Sequence, residues 1–138
     1  MKDNAASFGG SSNTRFTSHN MCDLIMYSDT TQTLYCLEQK SSKGTSIPLS
    51  MIRQNQIDEL TEAGKHCLVA GFLINFRNKN NDTYFIEIDD FNNMLSDLNK
   101  KSFNIKDLEN NNAIYIESEC KKVNYMYDVK KFISETHL

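Results

Sequence analysis

Met21-Cys22-Asp23-Leu24-Ile25-Met26-Tyr27 and Leu34-Tyr35-Cys36-Leu37-Glu38-Gln39-Lys40 are two apolar-rich stretches separated by the polar run Ser28–Thr33. Strand side chains alternate between faces, so Glu38 and Lys40 share one. A four-residue hairpin loop over Asp29–Gln32 pairs Ser28 with Thr33, and counting back from there sets Asp23 opposite Glu38. Directly opposed side chains lie about 4.5–5.5 Å apart at Cβ, where two carboxylates repel. A divalent cation between them offsets that repulsion. An acid pair holding a metal beside a fixed ammonium group is suited to phosphodiester hydrolysis.

The pattern around this hairpin describes one α/β domain in 138 residues. Residues 1–20 are polar and rich in Ser, Asn and Gly, and read as a flexible N-terminal segment. They lack the apolar core of a signal peptide, and no apolar run is long enough to span a membrane, which predicts a cytoplasmic protein. A helix is expected from a cap at Ser50, with Leu49, Ile52, Leu60 and Ala63 on one stripe and Gly64 as its stop. Cys67–Phe76 is almost continuously apolar and fits a central strand buried on both faces. Thr83–Ile88 reads as a further strand, followed by a helix capped by Asp89 or Asp90. A short helix over Asn104–Glu109, a strand at Ala113–Ile116 and a helix at Tyr127–Ser134, with Val129, Phe132 and Ile133 inward, complete the pattern. This order predicts a mixed central β-sheet flanked by helices.

The four cysteines form no CxxC pair, and the scattered spacing predicts reduced thiols, several of them in the core. The histidines are too dispersed to suggest a ligand set. A net charge of −3 argues weakly against a general nucleic-acid binder, although local charge is what counts there. The doublets Lys100-Lys101, Lys121-Lys122 and Lys130-Lys131 read as solvated faces. Gln56 is different, because it lies on the apolar stripe of the first helix. A buried amide needs a hydrogen-bond partner, which the sheet or the acid pair could supply.

Asp23, then Glu38-Gln39-Lys40, Thr45-Ser46-Ile47-Pro48-Leu49, Gln56-Ile57 and the apolar strand from Cys67 together resemble the RecU-type Holliday junction resolvases. These belong to the PD-(D/E)xK, restriction-endonuclease-like superfamily. The resemblance runs from Phe16 to the C-terminal helix, and the short linker before Asp23 is more similar to phage-encoded members. It departs from the family at two points. The Gly/Ser-rich segment before Asp23 does not read as the family's opening helix, and Gln39 stands where an apolar residue is usual.

The resemblance implies a nuclease-like domain over residues 21–138 that hydrolytically nicks Holliday junctions or other branched DNA in recombination and repair. It implies Mg²⁺ ligation by the Asp23 and Glu38 carboxylates and the Gln39 carbonyl, with Mn²⁺ able to substitute. Lys40 would position or activate the attacking water, and Gln56 would orient the nucleophile or a ligand. Lys43, Thr45, Ser46 and Arg53 would contact DNA, and two copies would act as a homodimer on a four-way junction. The alternative is a non-catalytic DNA-binding or assembly protein that keeps the nuclease fold.

Overall fold

The computed structural model describes residues 22–136, apart from 67, 79, 122 and 123. The expectations for residues 1–20, including that of a missing opening helix, lie outside the described residues. The hairpin comprises β1 (Leu24–Ser28) and β2 (Thr33–Ser42), and its register pairs Ser28 with Thr33 and Leu24 with Leu37. The loop between them closes through Gln32, which takes a left-handed backbone with φ of 53°. Next come β3 (Ser46–Pro48), α1 (Gln54–Lys65), β4 (Val69–Phe76), β5 (Asp82–Glu87) and α2 (Ile88–Asp97). The chain continues through β6 (Ser102–Asn104), α3 (Ile105–Asn110), β7 (Ile114–Tyr115), β8 (Ser118–Lys121), β9 (Asn124–Tyr127) and α4 (Val129–Glu135).

The main sheet has the order β1-β2-β4-β5-β7. β2 and β4 run parallel, joined by the crossover through α1, and every other neighbour pair is antiparallel. The fold is therefore α/β with a mixed central sheet flanked by helices, consistent with a restriction-endonuclease-like architecture. Phe72, Ile74, Leu60, Phe91 and Phe103 fill the core on the α1–α2 side. There Phe72 packs on Phe91 with ring centroids 4.5 Å apart. Tyr35, Leu37, Phe85, Ile116 and Phe132 form a second core on the opposite face. α4 plugs it with Phe132, whose ring lies 5.1 Å from that of Phe85. No helix among the described residues is long and apolar enough to cross a membrane.

Several local expectations are corrected. The helix does not start at Ser50: Leu49–Met51 forms a single 3₁₀ turn, Ile52 is extended, and α1 begins after Arg53. The extended backbone at Ile52 lets that side chain enter the core, which a continuous helix would not do from this approach. Asp89 and Asp90 do not cap α2. They lie in its first turn behind Glu87, where their charge complements the helix dipole. Of the three residues expected inward on α4, Phe132 is buried and Ile133 packs partly buried against the same core, while Val129 is 43% exposed. The supposed loop after Lys40 is also shorter, because β2 runs to Ser42 and β3 pairs antiparallel with β6.

Gly71 marks the tightest place in the sheet. A Cβ there would lie 2.2 Å from the Ile86 carbonyl oxygen and 2.8 Å from the Phe85 ring. Backbone cannot yield as a flexible side chain can, so overpacking of this kind costs about 1–3 kcal/mol or more. Gly71→Ala is expected to lower the unfolding free energy by at least that amount, read as a lower urea midpoint at an unchanged slope; a stability equal to the parent would contradict this packing.

Candidate functional site

Glu38 is set in the middle of β2, paired with Phe72 of β4, and is only 6% exposed. The Asp23 side chain reaches the same place from the start of the hairpin. Extending the β1–β2 register by one residue beyond Leu24 and Leu37 sets Asp23 opposite Glu38. Asp23 Oδ2 accepts a hydrogen bond from the Gln39 backbone N–H at 3.1 Å. The N–H and C=O of one strand residue point to the same side, so the Gln39 carbonyl is directed to this edge as well. The Asp23 and Glu38 carboxylates thus meet at the edge of β2, beside the Gln39 backbone.

Gln56 closes the site from above. Its Nε2 donates to Glu38 Oε2 at 2.8 Å, and its Oε1 accepts from the Arg53 backbone N–H at 3.1 Å. The amide is therefore spent in both directions. One end caps the first turn of α1, where backbone donors lack helical partners, and the other fixes the carboxylate. This answers which partner the polar residue on the apolar stripe has: it is the acid pair.

The electrostatics fit a cation. Burial, then hydrogen bonding and repulsion from Asp23, push the Glu38 carboxyl up from 4.5 to about 7, while Lys40 pulls the other way. An acid that resists ionisation beside a second carboxylate is what a divalent ion relieves. Among the described residues no group of three or more His, Cys, Asp or Glu side chains could hold a metal ion, so the acid pair stands without a third such side chain. Lys40 lies two residues beyond Glu38 on the same face, and also borders a groove of about 500 Å³ on the opposite side of the sheet, lined by Leu37, Gln39, β1 and α4 and not by Asp23, Glu38 or Gln56.

The expected DNA-contacting residues are more dispersed. Lys43 and Thr45 lie exposed in the turn between β2 and β3, and Arg53 is exposed at the head of α1. Ser46 is partly committed to the fold, as the first residue of β3 paired with Asn104. Ile47 and Phe103, both fully buried, pin this turn to the body of the protein. The Arg77 backbone N–H donates to the Ser42 carbonyl at 2.7 Å and tethers its other end.

The cysteine expectation needs correction. Cys22 and Cys36 are joined as a disulfide, with Cα atoms 5.9 Å apart. A straight extension of β1 would turn Cys22 towards the opposite face, but the backbone bends at Cys22 and Asp23 and returns the sulfur to Cys36. Spacing alone therefore carried no signal for it. Cys67 and the Cys120 side chain lie outside the described residues.

Comparison with known proteins follows the same lines. The sequence model of the family described as RecU, Recombination protein U, matches residues 6–131. The SPbeta prophage-derived uncharacterized protein YotM of Bacillus subtilis (strain 168) is 33% identical over 117 residues. That match takes in 74% of this chain, and the chain spans 60% of the relative's length.

The raised Glu38 carboxyl gives a signed expectation. Between about pH 4.5 and 7 the folded protein binds a proton that the unfolded chain has released, so cation-free stability falls as pH rises through this window. Glu38→Gln is expected to flatten that dependence in chemical denaturation at a series of pH values. Persistence of the slope in the variant would assign it to another group.

Proposed function

We propose, from the premise that this chain belongs to the RecU family, that it is a metal-dependent endonuclease that nicks branched DNA such as the four-way Holliday junction. The observation that carries the reading is the buried Glu38 carboxylate held between Asp23 and the Gln56 amide. A stable core gains nothing from two opposed acids, and the arrangement is explained by a ligand with positive charge. The kinship with a prophage-derived protein accords with a phage-type member.

Asp23, Glu38 and the Gln39 carbonyl would hold the ion, Mg²⁺ by preference and Mn²⁺ as a substitute. That ion would supply Lewis-acid stabilisation of the phosphate and activation of the attacking water. Gln56 keeps Glu38 Oε2 engaged, while the carboxyl also hydrogen-bonds Asp23, a contact that the ion would replace. The Lys40 ammonium would stand against the scissile phosphate and offset the charge that grows there during attack. Lys43, Thr45, Ser46 and Arg53 would steer the backbone of one DNA arm towards the acid pair. A homodimer would carry two such sites and cut strands of like polarity symmetrically.

Asp23→Asn and Glu38→Gln are each expected to reduce Mg²⁺-dependent nicking of a labelled four-way junction by at least ~10²-fold. Binding of the junction in a gel-shift assay should be retained or tightened, since each change removes a negative charge near the phosphates. Unimpaired nicking by both variants would overturn the site. Binding without any nicking by the parent protein would instead support a non-catalytic DNA-binding or assembly role.

Gln56→Leu separates positioning from chemistry. It should weaken Mg²⁺ dependence, raising the half-saturating concentration about tenfold, and leave the rate at saturating Mg²⁺ nearer the parent's. A loss confined to the saturated rate would place Gln56 on the substrate instead.

A further inference from the structure

Asp23 is held on one side only by hydrogen bonding along the chain. β1 begins at Leu24, whose pairing with Leu37 is the first rung of the ladder, and the Asp23 carboxylate contributes a bond to the Gln39 N–H. On the other side, the residue before it is covalently tied: Cys22 is joined to Cys36. Cys36 is itself immobile, paired with Ile25 on one side and Ala70 on the other. Asp23 is therefore bracketed between a ladder rung and a disulfide, and only the disulfide can be opened by chemistry outside the protein.

We propose that the Cys22–Cys36 pair is a thiol–disulfide latch that sets how firmly Asp23 is held against Glu38, and with it the affinity of the acid pair for a divalent cation. The inference rests on the reading of Asp23 and Glu38 as a cation site. The partner chemistry is a small-molecule disulfide or dithiol. In closing, the Cys22 thiolate attacks one sulfur of the external disulfide, forms a mixed disulfide and expels one thiol. The Cys36 thiolate then displaces the second thiol, so two cysteine protons leave and two external thiols form. A dithiol reverses the sequence. Both sulfurs are buried, Cys22 at 5% and Cys36 at 2% exposure. Cys22 meets the external reagent when the strand end opens, since it precedes the first rung of the ladder while Cys36 is paired on both sides within the sheet.

The latch acts through pre-organisation. With the bond closed, the carboxylates already face each other and the cation need not order the strand end. With the bond open, residues 22 and 23 lose their covalent tie to β2 and only a fraction of molecules present the paired geometry. Apparent affinity falls by that fraction.

The test compares the full chain equilibrated with glutathione disulfide against the same chain reduced with dithiothreitol. Alkylation followed by peptide mass mapping reads which cysteines are closed. Hydrogen exchange reads the Gln39 amide, and paramagnetic resonance reads Mn²⁺ binding. The closed form should show Cys22 and Cys36 protected from alkylation, Gln39 exchanging roughly tenfold more slowly, and Mn²⁺ bound roughly tenfold more tightly. Cys22→Ala should be insensitive to both reagents and match the reduced parent. Alkylation of both cysteines after oxidation, or equal exchange and equal Mn²⁺ affinity in the two states, would overturn the latch. If the two states differ as expected but neither nicks a junction, the latch stands and the nuclease reading fails.

Discussion

A carboxylate at 6% exposure in the strand next to the sheet's parallel seam is an expensive object, and Glu38 is that object. Burying an ionised group without compensation costs several kcal/mol, and a second carboxylate alongside adds repulsion. The surrounding structure is organised around this liability. The hairpin delivers Asp23, α1 delivers Gln56, and the strand's own backbone supplies an N–H to Asp23. Gln56 satisfies a buried Glu38 oxygen, and Asp23, itself exposed, meets the same carboxyl from the solvent side.

The β2–α1–β4 crossover makes this convergence rigid. β2 and β4 lie parallel, so α1 must cross back over the sheet, and its first turn lands above Glu38. Leu60 and Ala63 anchor the helix body in the core, while the Gln56 amide reconciles helix start and carboxylate in one side chain. The short β3–β6 pairing plays the corresponding part for the turn carrying Lys43 and Thr45. Ile47 and Phe103 are fully buried there, so an exposed basic turn is mounted on a stiff base.

Much of this was legible in the sequence because the informative residues sit in regular periodicities. The hairpin register could be counted from Ser28 and Thr33, and the apolar run of β4 announced a strand buried on both faces. Gln56 stood out as the one polar residue on an otherwise apolar stripe. What escaped was short or bent. Three-residue strands such as β3 and β6 show no repeat to detect. The start of α1 was set by the burial of Ile52 rather than by any cap at Ser50. The Cys22–Cys36 bond depends on a change of backbone direction at two residues, which no face-counting rule contains.

All the side chains gathered at the acid pair come from the interval between Asp23 and Gln56, and the elements after it serve as support. Chemistry and scaffold are thus separable along the chain. Insertions or exchanges in the later elements can remodel the surrounding surface while the acid pair and its supports are inherited intact. Lineages sharing this arrangement can diverge in the shape of the surface around the acid pair without rebuilding the pair itself.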